Sequence, residues 1–148
     1  MSNLVFNTAL GRVASLAALP AANDALVAVP LEAAGLVTDA TMRDYDDLAS
    51  LLAGASNEQT TMGRKTLSGV TVTVDDTNDR VAVDCADITW TAASGNAVGA
   101  VVICYDPDTT GGTDADLVPL TKHDVTLTPD GNNFTLSVAD FYRASSTA

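Results

Sequence analysis

Between residues 67 and 138 short apolar runs alternate with polar positions and are cut apart by turns of Asp, Asn, Gly, Pro and Thr. Val70, Val72 and Val74 alternate with Thr71 and Thr73. A polar turn at 75–79 follows, and then Val81, Val83 and Cys85 resume the period. Period-two alternation with such punctuation predicts antiparallel β-structure. Strands are expected at 69–74, 80–85, 87–92, 98–105, 117–120, 123–127 and 134–138. Segment 91–97 and segment 129–132 are each expected to close a hairpin. Both alternating sets of 98–105 are apolar or small, which predicts the central strand. Trp90 shares parity with Ile88 and is expected in the core, its indole N–H needing an acceptor.

The N-terminal part reads differently. Residues 8–19 place Leu10, Val13, Ala14, Ala17 and Ala18 on a helical stripe, capped by Asn7 or Thr8 and stopped by Pro20. Residues 25–29 are expected as a strand, because Pro30 would break a helix there. A second helix is expected over 41–54. Thr41 would be its N-cap, Asp44, Asp46 and Asp47 would lie near its positive end, and Gly54 would stop it. Tyr45, Leu48, Leu51 and Leu52 would be its buried stripe. The expected fold class is α+β and mainly β: an antiparallel β-sandwich or small barrel of about seven short strands with two helices in the N-terminal half. The 148 residues are expected to form a single domain, with 1–62 helical or mixed and 66–148 an antiparallel β-module.

Composition narrows the function. The formal charge is −12, and of 19 acidic residues all but Glu32 and Glu58 are Asp, a residue of turns and caps. Phosphate backbones are bound by clustered Lys and Arg, and here Arg64 and Lys65 are the only adjacent basic pair, so no nucleic-acid partner is expected. Segment 25–37 is broken by Pro30, Glu32 and Gly35, too short for a membrane span. The N-terminus lacks a basic segment and a hydrophobic signal core. A soluble protein made in the cytoplasm, with no membrane partner, is the expectation, and Cys85 and Cys104 then read as reduced core residues.

Little in the chain suggests covalent chemistry, and no enzyme activity and no cofactor are expected. His123 is the sole histidine and is read as a surface residue beside Lys122 and Asp124. Neither cysteine stands where a thiolate would be activated. One histidine and two isolated cysteines make a poor zinc set. Segment 106–116 offers Asp106, Asp108, Asp114 and Asp116 with Gly111 and Gly112. As a calcium loop of the EF-hand type it fails at the twelfth position, Leu117, where a bidentate Glu is needed. An ordinary solvated connection with no metal is the preferred reading, and an irregular calcium loop is the alternative. Gly63 to Thr66 has the wrong spacing for a phosphate loop. In the turn at 75–79 Asp75, Asp76 and Asp79 read as turn residues, and Asn78 is able to take the left-handed conformation. Seven aromatic residues, most at core-like positions, suit a sugar-binding cleft poorly.

A family resemblance goes further. Gly11, Arg12, Val13 and Ala14, then residues 36–40 with Asp44, Tyr45, Asp46 and Leu48, then Arg64, Lys65 and Thr66, follow the order seen in small structural proteins of tailed bacteriophages. The pattern continues through 74–80, Trp90, Thr91 and Ala92, through 102–114, Pro119 and Leu120, and Phe141, Tyr142 and Arg143. The chain therefore resembles such proteins over nearly its whole length. The resemblance implies a virion component, and within that class a capsid decoration (cement) protein on the capsid exterior. Its partners would be the major capsid protein and itself, as a homo-oligomer with a trimer favoured. The alternative is a tail, neck or collar component, or a virion-displayed host-surface or carbohydrate-binding module. In the decoration role, Leu4, Val5 and Phe6 would either add a strand to a neighbour's sheet or form an edge strand of their own domain. Arg64 and Lys65, isolated in an acidic chain, would either pair with capsid carboxylates or form a solvated loop.

Overall fold

A computed structural model describes residues 3–54 and 57–146. The fold is α+β and mainly β, a sandwich-like assembly of antiparallel sheets. Ten strands are present among the described residues rather than about seven. They are β1 (Leu4–Val5), β2 (Ala25–Glu32), β3 (Lys65–Thr66), β4 (Thr71–Asp75), β5 (Arg80–Asp84), β6 (Ile88–Trp90), β7 (Val98–Asp106), β8 (Val118–Leu127), β9 (Phe134–Leu136) and β10 (Tyr142–Ser145). The helices are α1 (Val13–Ala17), α2 (Asp39–Met42) and α3 (Leu48–Ala53).

The largest sheet has the order β1-β8-β7-β2-β3. β7 is its central strand, as its doubly apolar pattern predicts, and residues 100–105 are all buried. β2 is buried from Ala25 to Leu31. Strands covered on both faces read as continuous apolar runs instead of alternating ones. Pro30 sits inside β2 without breaking it. Its carbonyl accepts from Gln59 N at 2.8 Å, so the edge that lacks an N–H faces segment 57–59 and not β7. The strands expected at 117–120 and 123–127 are one strand, β8, because β7 pairs with it from Val98 to Tyr105 with two register shifts.

The second sheet, β10-β5-β4, contains a β4–β5 hairpin closed by the expected turn at 75–79, with Asp75 opposite Arg80. In that turn Asp79, at φ 49°, takes the left-handed conformation in place of Asn78. The Asn78 side chain is occupied instead, donating to Asp75 Oδ2 at 2.7 Å. The two expected hairpins at 91–97 and 129–132 do not form. β6 pairs with β9, and the two connections bind one another: Ala93 N donates to Asn132 O and Gly131 N to Ala93 O, each at 2.8 Å.

Both expected helices are shorter than their periodicity suggests. Gly11, at φ 75°, turns the chain between a 3-10 turn at Asn7–Ala9 and α1. Val13 and Ala17 are buried as expected, whereas Leu10 is 62 % exposed. The expected helix over 41–54 is two helices. Its four poor helix formers, Asp44, Tyr45, Asp46 and Asp47, lie in the break. Asp47, not Thr41, is the effective cap, accepting from Ser50 N at 2.7 Å. Asp44 accepts from the Asn7 amide at 2.8 Å, outside any helix. Gly54 does end α3, where a Cβ would overlap the Tyr45 ring. One cluster of buried residues runs from Phe6 to Leu120, so the N-terminal part and the β-part share a core.

Candidate functional site

The residues expected to meet a partner fall at opposite edges of the largest sheet, β1 at one side and β3 at the other. Leu4 and Val5 form an edge strand of their own domain, opposite Lys122 and Thr121. Both are half-buried, but Phe6 is fully buried and offers nothing to a neighbour. Lys65 is half-buried in β3, opposite Ala28. Arg64 does not stand alone, contrary to expectation. Its Nε and Nη2 donate to Glu58 at 2.8 and 2.7 Å, and its Nη1 and Nη2 donate to Asp114 at 2.7 and 3.0 Å. The planar guanidinium fork is what allows one side chain to hold two carboxylates bidentately. Hydrogen bonds to Glu58 and then Asp114 raise the Arg64 pKa, and the same contact holds the Asp114 carboxyl below its ordinary value.

This clamp belongs to a locked turn. The carbonyl of Gly63 accepts the Trp90 indole N–H at 2.9 Å, which meets the need expected of a buried tryptophan. Gln59, 1 % exposed, donates to Asn96 O at 2.7 Å and accepts from Thr61 N at 2.9 Å. Gly95, at φ 102°, leaves room for that amide, since a Cβ there would meet it. No sequence signal marks Gln59, because its partners are carbonyl and amide groups distant in the chain or local to a turn.

Lys122 is the largest departure from expectation. It is fully buried rather than at the surface, and its ammonium donates to Asp39 Oδ1 at 2.7 Å and pairs with Asp124 Oδ1 at 2.6 Å. The buried charge thus joins α2 to β8. His123 is half-buried too, with Nε2 at 2.9 Å from Thr121 Oγ1 and its ring edge-on to Phe141 at 6.3 Å. Burial, then the neighbouring Lys122, lower its pKa, partly offset by Asp124. A cavity of about 240 Å³ lies here, lined among others by His123, Asp124, Ser137, Asp140 and Phe141.

The acidic loop between β7 and β8 holds its own carboxylates. Asp108 accepts from Thr110 N and Oγ1 at 3.0 and 2.6 Å, Asp116 closes a capping box with Thr113, and Asp114 is taken by Arg64. Among the described residues no group of three or more His, Cys, Asp and Glu side chains is arranged to hold a metal. Four carboxyls are held below their ordinary pKa: Asp75 through Asn78, Asp108 through Thr110, Asp114 through Arg64 and Asp130 through Asn132. That direction keeps them ionised, opposite to what a general acid needs. Both cysteines are free and buried. Burial pushes the Cys85 thiol up to about 11 and that of Cys104 further still. Such thiols are poor nucleophiles. Among the described residues no helix is long and apolar enough to cross a membrane.

No protein family, no curated protein and no solved structure matches this chain.

Proposed function

We propose that this chain is a non-enzymatic virion structural protein, a capsid decoration protein that binds the assembled phage head and reinforces it. One observation carries the reading: Arg64, Lys122, Gln59 and the shifted aspartates are all committed to holding the chain's own turns and sheets together. Among the described residues, acidic turns and strand edges are the surface that this reading offers a partner. A net charge of −12 suits the outside of a shell, since at the inner face it would repel packaged phosphate. Leu4 and Val5 on one edge and Lys65 on the other are the contacts assigned to the capsid protein and to neighbouring copies. Repetition over many subunits makes modest contacts sufficient. The carbohydrate-binding alternative loses its best platform candidates, because Trp90 and Tyr105 are 1 % and 6 % exposed.

The test is stoichiometry in purified particles by quantitative mass spectrometry. A decoration role predicts copies in fixed proportion to the major capsid protein. A few copies per particle would move the protein to the neck or tail, and none would reject the reading.

A further inference from the structure

We propose that β4 is a self-association edge, through which two copies of this chain pair antiparallel about a two-fold axis centred on Thr73. The inference rests on the sheet edge alone, so its failure would leave the head-binding reading untouched. β4 ends the order β10-β5-β4 and has a strand on one side only. With five residues it is the longest edge strand described: β1 and β3 have two residues, β6 and β9 three, and β10 four. Native edges are usually blunted by shortness, Pro, Lys or a bulge. β10 is short and carries Arg143. β4 has no Pro or Lys, its one charge is Asp75 at its end, and its register with β5 is unbroken.

Its sequence is complementary to itself. Centred on Thr73, an antiparallel pair sets Val72 against Val74 of the other copy, Thr71 against Asp75, and Thr73 against Thr73. Successive side chains face opposite sides, so Val72 and Val74 share one face with their counterparts. Val74 is 69 % exposed and, among the described residues, is the one large exposed apolar residue that lies in a strand. Cross-strand pairing would cover it. Two chains of charge −12 repel one another, yet no carboxylate opposes a carboxylate in this register. Asp75 is also compensated within its own chain by Arg80 Nε at 3.2 Å. A second copy is therefore the occupant that this edge suits, since the isologous register satisfies both strands alike. Five residues a side fall far below the roughly 20–30 of a standard interface, so association is weak in free solution and grows where copies are crowded.

The experiment combines sedimentation with directed crosslinking of the full chain. Wild type is expected to pass from monomer to dimer between about 1 µM and about 1 mM. Val74→Lys should raise the dissociation constant by roughly tenfold or more, since symmetry applies the change twice, with an unaltered circular dichroism spectrum. Under mild oxidant Thr73→Cys should form a disulfide dimer, whereas Thr71→Cys, facing Asp75 of the other copy, should not. The native thiols are buried and leave the readout clean. A wild type that stays monomeric across that range, a trimer insensitive to Val74→Lys, or equal crosslinking by both cysteine variants would overturn the proposal.

Discussion

Removing one carboxylate from Lys122 should cost more stability than removing Lys122 itself. The ammonium has no access to water, while the side chains of Asp39 and Asp124 are 19 % and 31 % exposed. Asp39→Ala leaves the buried cation with Asp124 as its remaining carboxylate among the two. Breaking a buried ion pair from one side costs about 3–5 kcal/mol, and the retained Asp124 places this case near the low end, at about 3 kcal/mol. Lys122→Met is different in kind. Both carboxylates can then rehydrate and the methionine fills the space of the lysine stem, so the cost should be about 1 kcal/mol. For a chain of this length each kcal/mol moves the melting midpoint by about 2–4 °C. Asp39→Ala should therefore lower it by about 6–12 °C and Lys122→Met by about 2–4 °C. In the Lys122→Met background Asp39→Ala should cost less than about 1 kcal/mol, a coupling that a double-mutant cycle reads directly. Urea unfolding followed by far-ultraviolet circular dichroism supplies the free energies. Greater damage from Lys122→Met than from Asp39→Ala, or two costs that simply add, would show that the buried ammonium does not depend on its carboxylates.

Other consequences can be measured on the same material. Arg64→Lys keeps the charge but cannot hold Glu58 and Asp114 together, and with a side chain 30 % exposed the cost should be modest, about 1 kcal/mol; unchanged urea stability would contradict it. The folded His123 pKa lies below its ordinary 6.5, so its contribution is complete above that pH and declines as pH falls below it. Asp114 is shifted below 3.8, so its stabilisation is present above that value and lost on acidification. The melting midpoint should fall below pH 6.5, and His123→Gln should flatten the upper part of that fall; a midpoint that rises on acidification would be inconsistent. Trp90→Phe leaves the Gly63 carbonyl without its donor and should cost about 1–3 kcal/mol, checked by the urea midpoint. Neither thiol should react with a disulfide reagent near neutral pH until the chain is unfolded; two rapidly titrating thiols in native protein would refute their burial.

The strands were legible in the sequence where their determinants are local. β7 declares itself through two apolar faces, Trp90 through its parity with Ile88, and the β4–β5 hairpin through the Asp- and Asn-rich turn between alternating runs. Pairing was less legible, because alternation does not name a partner. β6 finds β9 across 46 residues, as Thr89 and Thr135 show, and not the neighbouring β7. The helices are shorter than their apolar period where it continues across Gly11 or across Asp44, Asp46 and Asp47, whose backbone preferences override it. Lys122 is hidden in the sequence for the same reason that the partner of β6 is. Its partner Asp39 is 83 positions away, and from sequence a Lys flanked by His and Asp on a strand looks solvated. Arg64 likewise meets Asp114 across 50 positions, so its isolation in sequence hides its occupation in space.

We propose that this chain acts by binding to an assembled shell. Imaging purified phage heads with and without the protein tests it most directly. Added density is expected at capsomer junctions, confined to the outer surface, with lower resistance to internal pressure when the protein is missing. Unchanged shells accompanied by an altered tail or neck would contradict it.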